Sequence, residues 1–329
     1  MLDGAICKDP SPGGLPGEAC VTVACAADGR YALPLAVMLR SAGEQLAAST
    51  WLRACVLDDG LTPEDRGRIE LSLPPRVCIE WCVPQRILPS LPLWGRMTAT
   101  TYQKLMLGDW LPRDVDRVLW LDADLLVLDD PGRLAHVPDP GIVAAAVIDP
   151  RVPRLASRFG VAGWEVLGMN PDAPYFNAGV MAINLAHWRR ENVGGRCLAY
   201  LERFADGVSF WDQEALNAVL CQGLWQPLPV RWNVHPSLAP IPGSPAPPHP
   251  AVIHFSGRLK PWTHRGSDAW SRQFYAVVDR TDWAGTRPVH RLSTDLARCW
   301  ERSRLRPWFY PLESWGTLLH RHLTVRRSR

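Results

Sequence analysis

The stretch RVLWLDADLLVLDD, residues 117–130, decides the fold. Its first twelve residues, 117–128, are apolar at both odd and even positions, the pattern of a strand covered on both faces inside a sheet. One strand over 117–128 is the expectation. Asp122 and Asp124 interrupt it, with Ala123 between them. Side chains at i and i+2 of a strand share a face, with about 6.6 Å of rise between their Cα atoms, so the two carboxylates can converge on one cation. A lone acid pair at a strand end is commonly a solvated cap. Here both charges lie inside apolar sequence, where a carboxylate is costly unless it is paired or holds a metal.

Short apolar runs and helical patterns alternate on either side. VTVACAA (21–27), LRACVLDD (52–59) and VCIEWCV (77–83) read as strands. LPLAVMLRSAGEQLA (33–47), a segment opened by Thr62-Pro63-Glu64-Asp65, and the amphipathic TATTYQKLMLGDWL (98–111) read as helices. Downstream come GIVAAAVID (141–149), an irregular stretch to Pro174, YFNAGVMAINLAHW (175–188), a helix-like 189–205, DQEALNAVL (212–220) and AVIHF (251–255). This order predicts an α/β chain with a mostly parallel central sheet. Ligands of such sheets bind beyond the carboxyl ends of the strands, which singles out Asp28 and Asp122. Six prolines between Pro240 and Pro250 exclude regular structure there and imply a loop.

With 329 residues, 47% hydrophobic and 21% charged, the chain has the composition of a folded globular protein. A formal charge of +3 excludes a general nucleic-acid footprint. Nine cysteines without a C-x-x-C pair match neither a disulfide framework nor a zinc ribbon, so a reducing, cytoplasmic setting is expected. Residues 1–20 read as a flexible N-terminal arm, 21–265 as the main domain and 266–329 as a helical tail. From Arg280 onward eleven arginines face four acids, interleaved with Trp283, Trp300, Trp308 and Trp315. Such a tail can lie on an anionic membrane surface or pack on the body.

A second constellation is HFSGRLKPW, residues 254–262. Gly257 permits close approach of a backbone N–H, Lys260 is one of three lysines in the chain, and His254 can complete a metal site begun by carboxylates. Together they suggest a diphosphate clamp.

Asp122-Ala123-Asp124, FNAGVMAINLAHW (176–188), DQEALN (212–217) and HFSGRLKPW (254–262), in this order, resemble glycosyltransferase family 8, the glycogenin-like and lipopolysaccharide galactosyltransferase-like enzymes. The resemblance runs from Val21 to Trp262. It implies a GT-A fold, the Rossmann-like nucleotide-diphospho-sugar transferase sheet, and transfer of galactose or glucose from a UDP-sugar to an acceptor hydroxyl with retention. Mn²⁺ is the implied cofactor in preference to Mg²⁺, held by Asp122, Asp124 and His254. The same resemblance places the nucleotide against Ala26, Ala27, Asp28, Tyr31, Asp122, Ala123, Gly257 and Lys260. It places the sugar against Lys104, Asp149, Asn177, Asp212 and Gln213, with catalysis by Gln213, Asp212 and Lys260. Gln213 would sit on the β face of the anomeric carbon, stabilising an oxocarbenium-like state during front-face attack. Arg30 stands where the family commonly has asparagine, and Lys104 where it often has arginine.

Acceptor contacts are expected from 150–174 and 231–250. The acceptor classes left open are a glycolipid, a lipopolysaccharide core or a small metabolite, with peripheral contact to the inner membrane face through the tail. Two other readings stay open. The Arg30 and Lys104 departures suit a sugar-nucleotide-binding protein with weak or lost turnover. A nucleotidyltransferase would need a glycine-rich loop after the first strand, which the sequence lacks.

Overall fold

The computed structural model describes residues 19–82, 91, 98–236, 249–257, 260–264 and 268–288. Strand β1 (Ala19–Ala27) takes in two residues assigned above to the N-terminal arm, Ala19 and Cys20; the rest of that arm lies outside the described residues. Asp28 then accepts the Arg30 N–H and caps a short 3-10 turn, Gly29–Tyr31, that feeds helix α1 (Ala32–Gln45). β2 (Thr50–Asp58) is followed by α2 (Pro63–Ser72), where Thr62 and Asp65 form a reciprocal capping box and Pro63 opens the first turn. β3 (Val77–Cys82) ends this half.

The helix expected over 98–111 is instead a 3-10 stretch, Ala99–Met106, followed by one α-helical turn, α3 (Leu107–Trp110). Thr98, Thr100 and Thr101 are β-branched and favour an α-helix weakly. The Thr100 and Thr101 hydroxyls are drawn to Asp59 and Asp212, on two different elements.

The expected single strand over 117–128 is two strands, β4 (Arg117–Leu121) and β5 (Leu125–Val127). The Asp122 N–H donates to Gly179 O at 2.9 Å, and the chain then turns out of the sheet through Ala123 and Asp124. β5 pairs with a different partner, so the two carboxylates converge across a turn and not along one strand face.

β6 (Ala144–Ile148), β7 (Phe176–Asn184), α4 (Leu185–Arg190), α5 (Val193–Arg203) and α6 (Trp211–Leu220) follow. A short β8 (Trp225–Pro227) has no counterpart in the sequence reading; β9 (Val252–His254) and α7 (Ala269–Val278) end the series. The main sheet has seven strands in the order β3-β2-β1-β4-β7-β6-β8, and β7 alone runs against the other six. β5 and β9 form a separate antiparallel pair. Both faces of the main sheet are covered. Along β7, Val180 and Ala182 pack into one core while Met181 and Ile183 pack into the other, which is why the strand reads as continuously apolar.

One irregularity in this sheet builds the site. β6 and β7 pair as Ala146 with Met181, then as Val147 with Asn177, so Ala178–Val180 bulge without partners on β6. A bulge frees backbone donors for other use, and the Ala178 and Gly179 N–H groups are turned to side chains.

After α7 the chain packs on the body. Trp283 is buried in the core, the Arg68 guanidinium lies 4.2 Å above its ring, and Arg68 also bonds Asp282 at 2.8 Å. The remaining tail tryptophans and most of the Pro240–Pro250 loop lie outside the described residues. No helix among the described residues is long and apolar enough to cross a membrane, and no two described cysteines form a disulfide.

Candidate active site

Asp122, Asp124 and His254 each offer one ligand atom, and these atoms all lie within 4.8 Å of one another. His254 arrives from β9, directly opposite Leu125 of β5. The tautomer of its ring follows from a backbone group. The Gly179 N–H donates to Asn177 Oδ1 at 3.0 Å, so that atom is oxygen. Asn233 must then present its Nδ2 to the same oxygen, 2.8 Å away, and its Oδ1 to His254 Nδ1, 2.9 Å away. His254 Nδ1 is therefore the donor to Asn233 Oδ1, and Nε2 is the ring atom turned to the two acids. Nε2 lies 3.3 Å from Asp124 Oδ1 and 4.0 Å from Asp122 Oδ2. Two carboxylates with an imidazole are a good donor set for a divalent metal. The residues present fit the implied ion.

The same bulge sets Gln213. The Ala178 N–H donates to Gln213 Oε1 at 3.1 Å, and Asn177 Nδ2 donates to it at 3.0 Å. Gln213 Nε2 donates to Asp149 Oδ2 at 3.1 Å, and Asn177 Nδ2 donates there too at 2.9 Å. Both lone pairs of the Gln213 oxygen are thus occupied. Asp149 is fully buried, and the backbone N–H and guanidinium of Arg151 take further positions on its carboxylate. Burial alone would raise its pKa, but Arg151 and Asn177 outweigh this and hold it below the usual carboxylate range. Asp149 and Asn177, expected to meet sugar hydroxyls, are saturated by protein groups. These contacts hold the Gln213 amide in place.

Lys104 joins the two halves. Its Nζ donates to Asp212 Oδ2 at 2.9 Å and lies 3.3 Å from Asp122 Oδ1, with the Trp120 ring 5.1 Å away. Burial opposes its charge, yet Asp122 and Asp212 raise its pKa above the ordinary lysine value. These two contacts make the amine an internal strut; the sugar contact expected of it is neither shown nor excluded by them. Thr101 Oγ1 donates to the other Asp212 oxygen at 2.7 Å. Trp211, the residue before Asp212, has a φ of 42°, rare for a bulky side chain, and it starts the helix that carries Asp212 and Gln213.

Among the residues expected to meet the nucleotide, Lys260 is bonded to Asp124 and to Phe255 O. Burial works against ionisation of Asp124, but Lys260 and His254 keep it well below the usual range. Gly257 has a φ of 95°, which an L side chain rarely adopts. Ala27 is buried and Ala26 half-buried at the end of β1, and Ala123 is buried between the two metal-site acids. Tyr31 packs edge-on against Trp262 at 5.8 Å, and burial, followed by Asp124 and Asp122, pushes its hydroxyl pKa up. Asp28 is held by Arg30 at 2.7 Å, so the residue that departs from the family pattern is bonded to the one expected to read the base.

Several site residues escaped the sequence reading. Asn233 orients His254, Trp120 donates to Asp122 Oδ1 at 2.7 Å, and Arg151 braces Asp149. His235 packs its ring 4.8 Å from that of His254 and takes Ser256 on Nδ1 at 2.6 Å. Its Nε2 is buried with no hydrogen-bond partner among the described residues. Burial first, then His254 and Arg151, hold the His235 pKa well below the ordinary histidine value. A Cβ on Gly179 would fall 2.4 Å from His254 Cε1. Of these, only Gly179 left a signal in the sequence, as a glycine inside an otherwise apolar strand.

The description "Glycosyl transferase family 8" matches residues 22–266. General stress protein A of Bacillus subtilis (strain 168) is 25% identical over 278 residues, 79% of this chain and 93% of that protein. The lipopolysaccharide 1,2-glucosyltransferase of Escherichia coli (strain K12) is 27% identical over 216 residues, 61% of this chain and 59% of that enzyme. The crystal structure of the galactosyltransferase LgtC, in complex with donor and acceptor sugar analogs, superimposes with a TM-score of 0.66 at 27% identity, covering 83% of this chain and 98% of that one. The match over residues 22–266, most of the chain, makes this protein a member of glycosyltransferase family 8 with a GT-A fold.

Proposed function

We propose that the protein transfers a hexose, galactose or glucose, from a UDP-sugar to an acceptor hydroxyl with retention of configuration, using Mn²⁺. One observation carries the reading: the bulge in β7 orients both the metal-site histidine, through Asn177 and Asn233, and the Gln213 amide, through Asn177 and the Ala178 N–H. A diphosphate-binding centre and a sugar-facing group locked to one scaffold suit cleavage of the bond between them. Asp122, Asp124 and His254 would hold the ion, and the imidazole nitrogen favours Mn²⁺ over the oxygen-preferring Mg²⁺. When bound, the ion supplies Lewis-acid stabilisation of the diphosphate leaving group.

This chain's own groups supply the rest. Lys260 and the Gly257 N–H add positive charge and a donor where negative charge grows on UDP. Ala26, Ala27, Asp28 and Tyr31 form the wall for the base, with Arg30 beside Asp28. Gln213 is a poor nucleophile because its oxygen already accepts two hydrogen bonds. Front-face attack follows: the acceptor oxygen bonds to the anomeric carbon as the bond to the diphosphate oxygen breaks, and the acceptor proton passes to that oxygen. Asp149 and Asn177 hold the Gln213 amide still, and Lys104 fixes Asp212 beside it.

The test is UDP release from a panel of UDP-sugars with Mn²⁺, Mg²⁺ or EDTA, comparing wild type with Asp124→Asn and His254→Ala. Mn²⁺-dependent release from one UDP-hexose, lost in both variants, is the expected result. Calorimetric UDP binding without release from any sugar, even with a broad acceptor panel, would favour a binding protein, and release of pyrophosphate would favour a nucleotidyltransferase.

A further inference from the structure

Helix α5 carries one outward stripe of Arg196, Ala199 and Arg203, at i, i+3 and i+7, and all three are exposed. Between two long cationic side chains stands a single methyl group. Beside this stripe lies a cavity of about 280 Å³, lined by the three residues and by a mainly apolar set that includes Leu167, Phe204 and Val219. An apolar cavity of about 150 Å³ already admits a benzene-sized guest, so this one has room for a short acyl chain. Among the described residues that line it none is acidic, and none belongs to the donor site proposed above. Val219 follows Gln213 by six residues on α6, about 9 Å along the helix axis, so the cavity is a separate place.

The two arginines are engaged differently. Arg196 donates to Val219 O at 3.3 Å and lies 3.9 Å from Glu191. Arg203 makes no ion pair or hydrogen bond among the described residues, although Glu202 and Asp206 are close in sequence and exposed. Its guanidinium carbon lies 5.0 Å from the Phe204 ring centroid. A guanidinium resting on a ring keeps its planar fork of N–H donors for a carboxylate or phosphate. The rest of the lining suits an apolar guest. Its one hydroxyl, that of Tyr200, is spent on Ala162 O at 3.0 Å and Glu214 Oε1 at 2.8 Å, so a sugar would find few partners there.

We propose that this cavity is a second binding site, for a single amphiphile whose apolar body fills the space beside Ala199 and whose anionic head, a carboxylate or a phosphate, pairs with Arg203. The proposal does not depend on the glycosyl-transfer reading.

The experiment is calorimetric titration of the full chain with octyl phosphate, octanoate, octanol and inorganic phosphate, each kept monomeric, for wild type, Ala199→Phe and Arg203→Gln. Wild type should bind one molecule of octyl phosphate or octanoate at least about tenfold more tightly than octanol or inorganic phosphate, the gain expected of a charge-assisted hydrogen bond added to apolar burial. Ala199→Phe fills the cavity and should abolish this binding, while Arg203→Gln should erase the preference over octanol. Both substitutions are at exposed positions, so thermal midpoints should match wild type; if Ala199→Phe fails to fold, Arg203→Gln decides alone. Equal affinity for octyl phosphate and octanol, or binding that survives Ala199→Phe unchanged, would overturn the proposal. So would no binding at all, or attachment to vesicles of phosphatidylcholine and phosphatidylglycerol without any response to the monomers, which would make this face a membrane contact and not a cavity site. UDP binding, measured alongside, should be equal in the three proteins, and its absence would count against the glycosyl-transfer reading alone.

Discussion

Lys104 Nζ lies 2.9 Å from Asp212 Oδ2, and the two side chains are 5% and 7% exposed. One buried amine thus ties the first turn of the helix carrying Gln213 to the 3-10 stretch before β4, and its contact with Asp122 extends the tie to the metal site. Removing one member of a buried ion pair leaves the other uncompensated, at a cost of about 3–5 kcal/mol. Lys104→Met should lower the thermal midpoint and cut UDP release at least about 100-fold, whereas Lys104→Arg should keep a measurable part of both. A Lys104→Met variant with wild-type melting would show that the pair does not hold the site together.

Gly179 faces the His254 ring with no room for a methyl group. Gly179→Ala must displace either the ring or the bulge, and disturbing the support of a metal ligand typically costs 10–100-fold in affinity. Titration of the variant with Mn²⁺ by calorimetry should give binding at least about tenfold weaker, with overpacking adding about 1–3 kcal/mol of destabilisation. Unchanged Mn²⁺ affinity would mean that His254 is not a ligand or that the strand yields freely.

Asn177 donates to both Gln213 Oε1 and Asp149 Oδ2 through one nitrogen. Asn177→Asp replaces that donor with an oxygen facing two acceptors. If Asn177 orients Gln213 and does not itself hold the sugar, kcat should fall by about 100-fold while KM for the UDP-sugar changes little. A rise in KM of similar size would restore direct sugar contact to Asn177.

Asp149 is held ionised below the usual carboxylate range. A depressed folded-state pKa gives stability that is fully present above the unfolded value, about 4, and that drains away as pH falls through the folded value. Urea unfolding from pH 3 to pH 7 should therefore show a flat wild-type plateau above about pH 5 and an acid decline below about pH 4. In Asp149→Asn the decline should be shallower by up to about 1.4 kcal/mol per pH unit, one proton's worth. Superimposable acid limbs in the two proteins would show that Asp149 titrates normally in the folded state.

Much of this architecture is written in local pattern. The α/β alternation, the caps at Asp28 and Thr62, and the four motifs around Asp122, Asn177, Gln213 and His254 each depend on residues close in sequence. The failures are instructive for the same reason. The run 117–128 reads as one strand because Leu121 and Leu125 are equally apolar, and apolarity does not say which sheet each half joins. Residues 98–111 have helical periodicity, but Thr100 and Thr101 answer to Asp59 and Asp212, which are remote in the chain.

By itself, the sequence determined which residue types are available for chemistry and which strands and helices carry them, because hydrophobic period, turn residues and helix caps act over a few positions. Only the tertiary structure decided how those residues are spent. Asp149 and Asn177 proved saturated, Lys104 became a strut, and Asn233 and Gly179 turned out to set the His254 ring. The bulge in β7 arranges Asn177, Gly179 and the groups bonded to them, and the side-chain hydrogen bonds behind these outcomes join groups 21 to 108 positions apart. A buried polar atom takes whatever partner the packed chain brings within about 3 Å, and that choice is made across the fold.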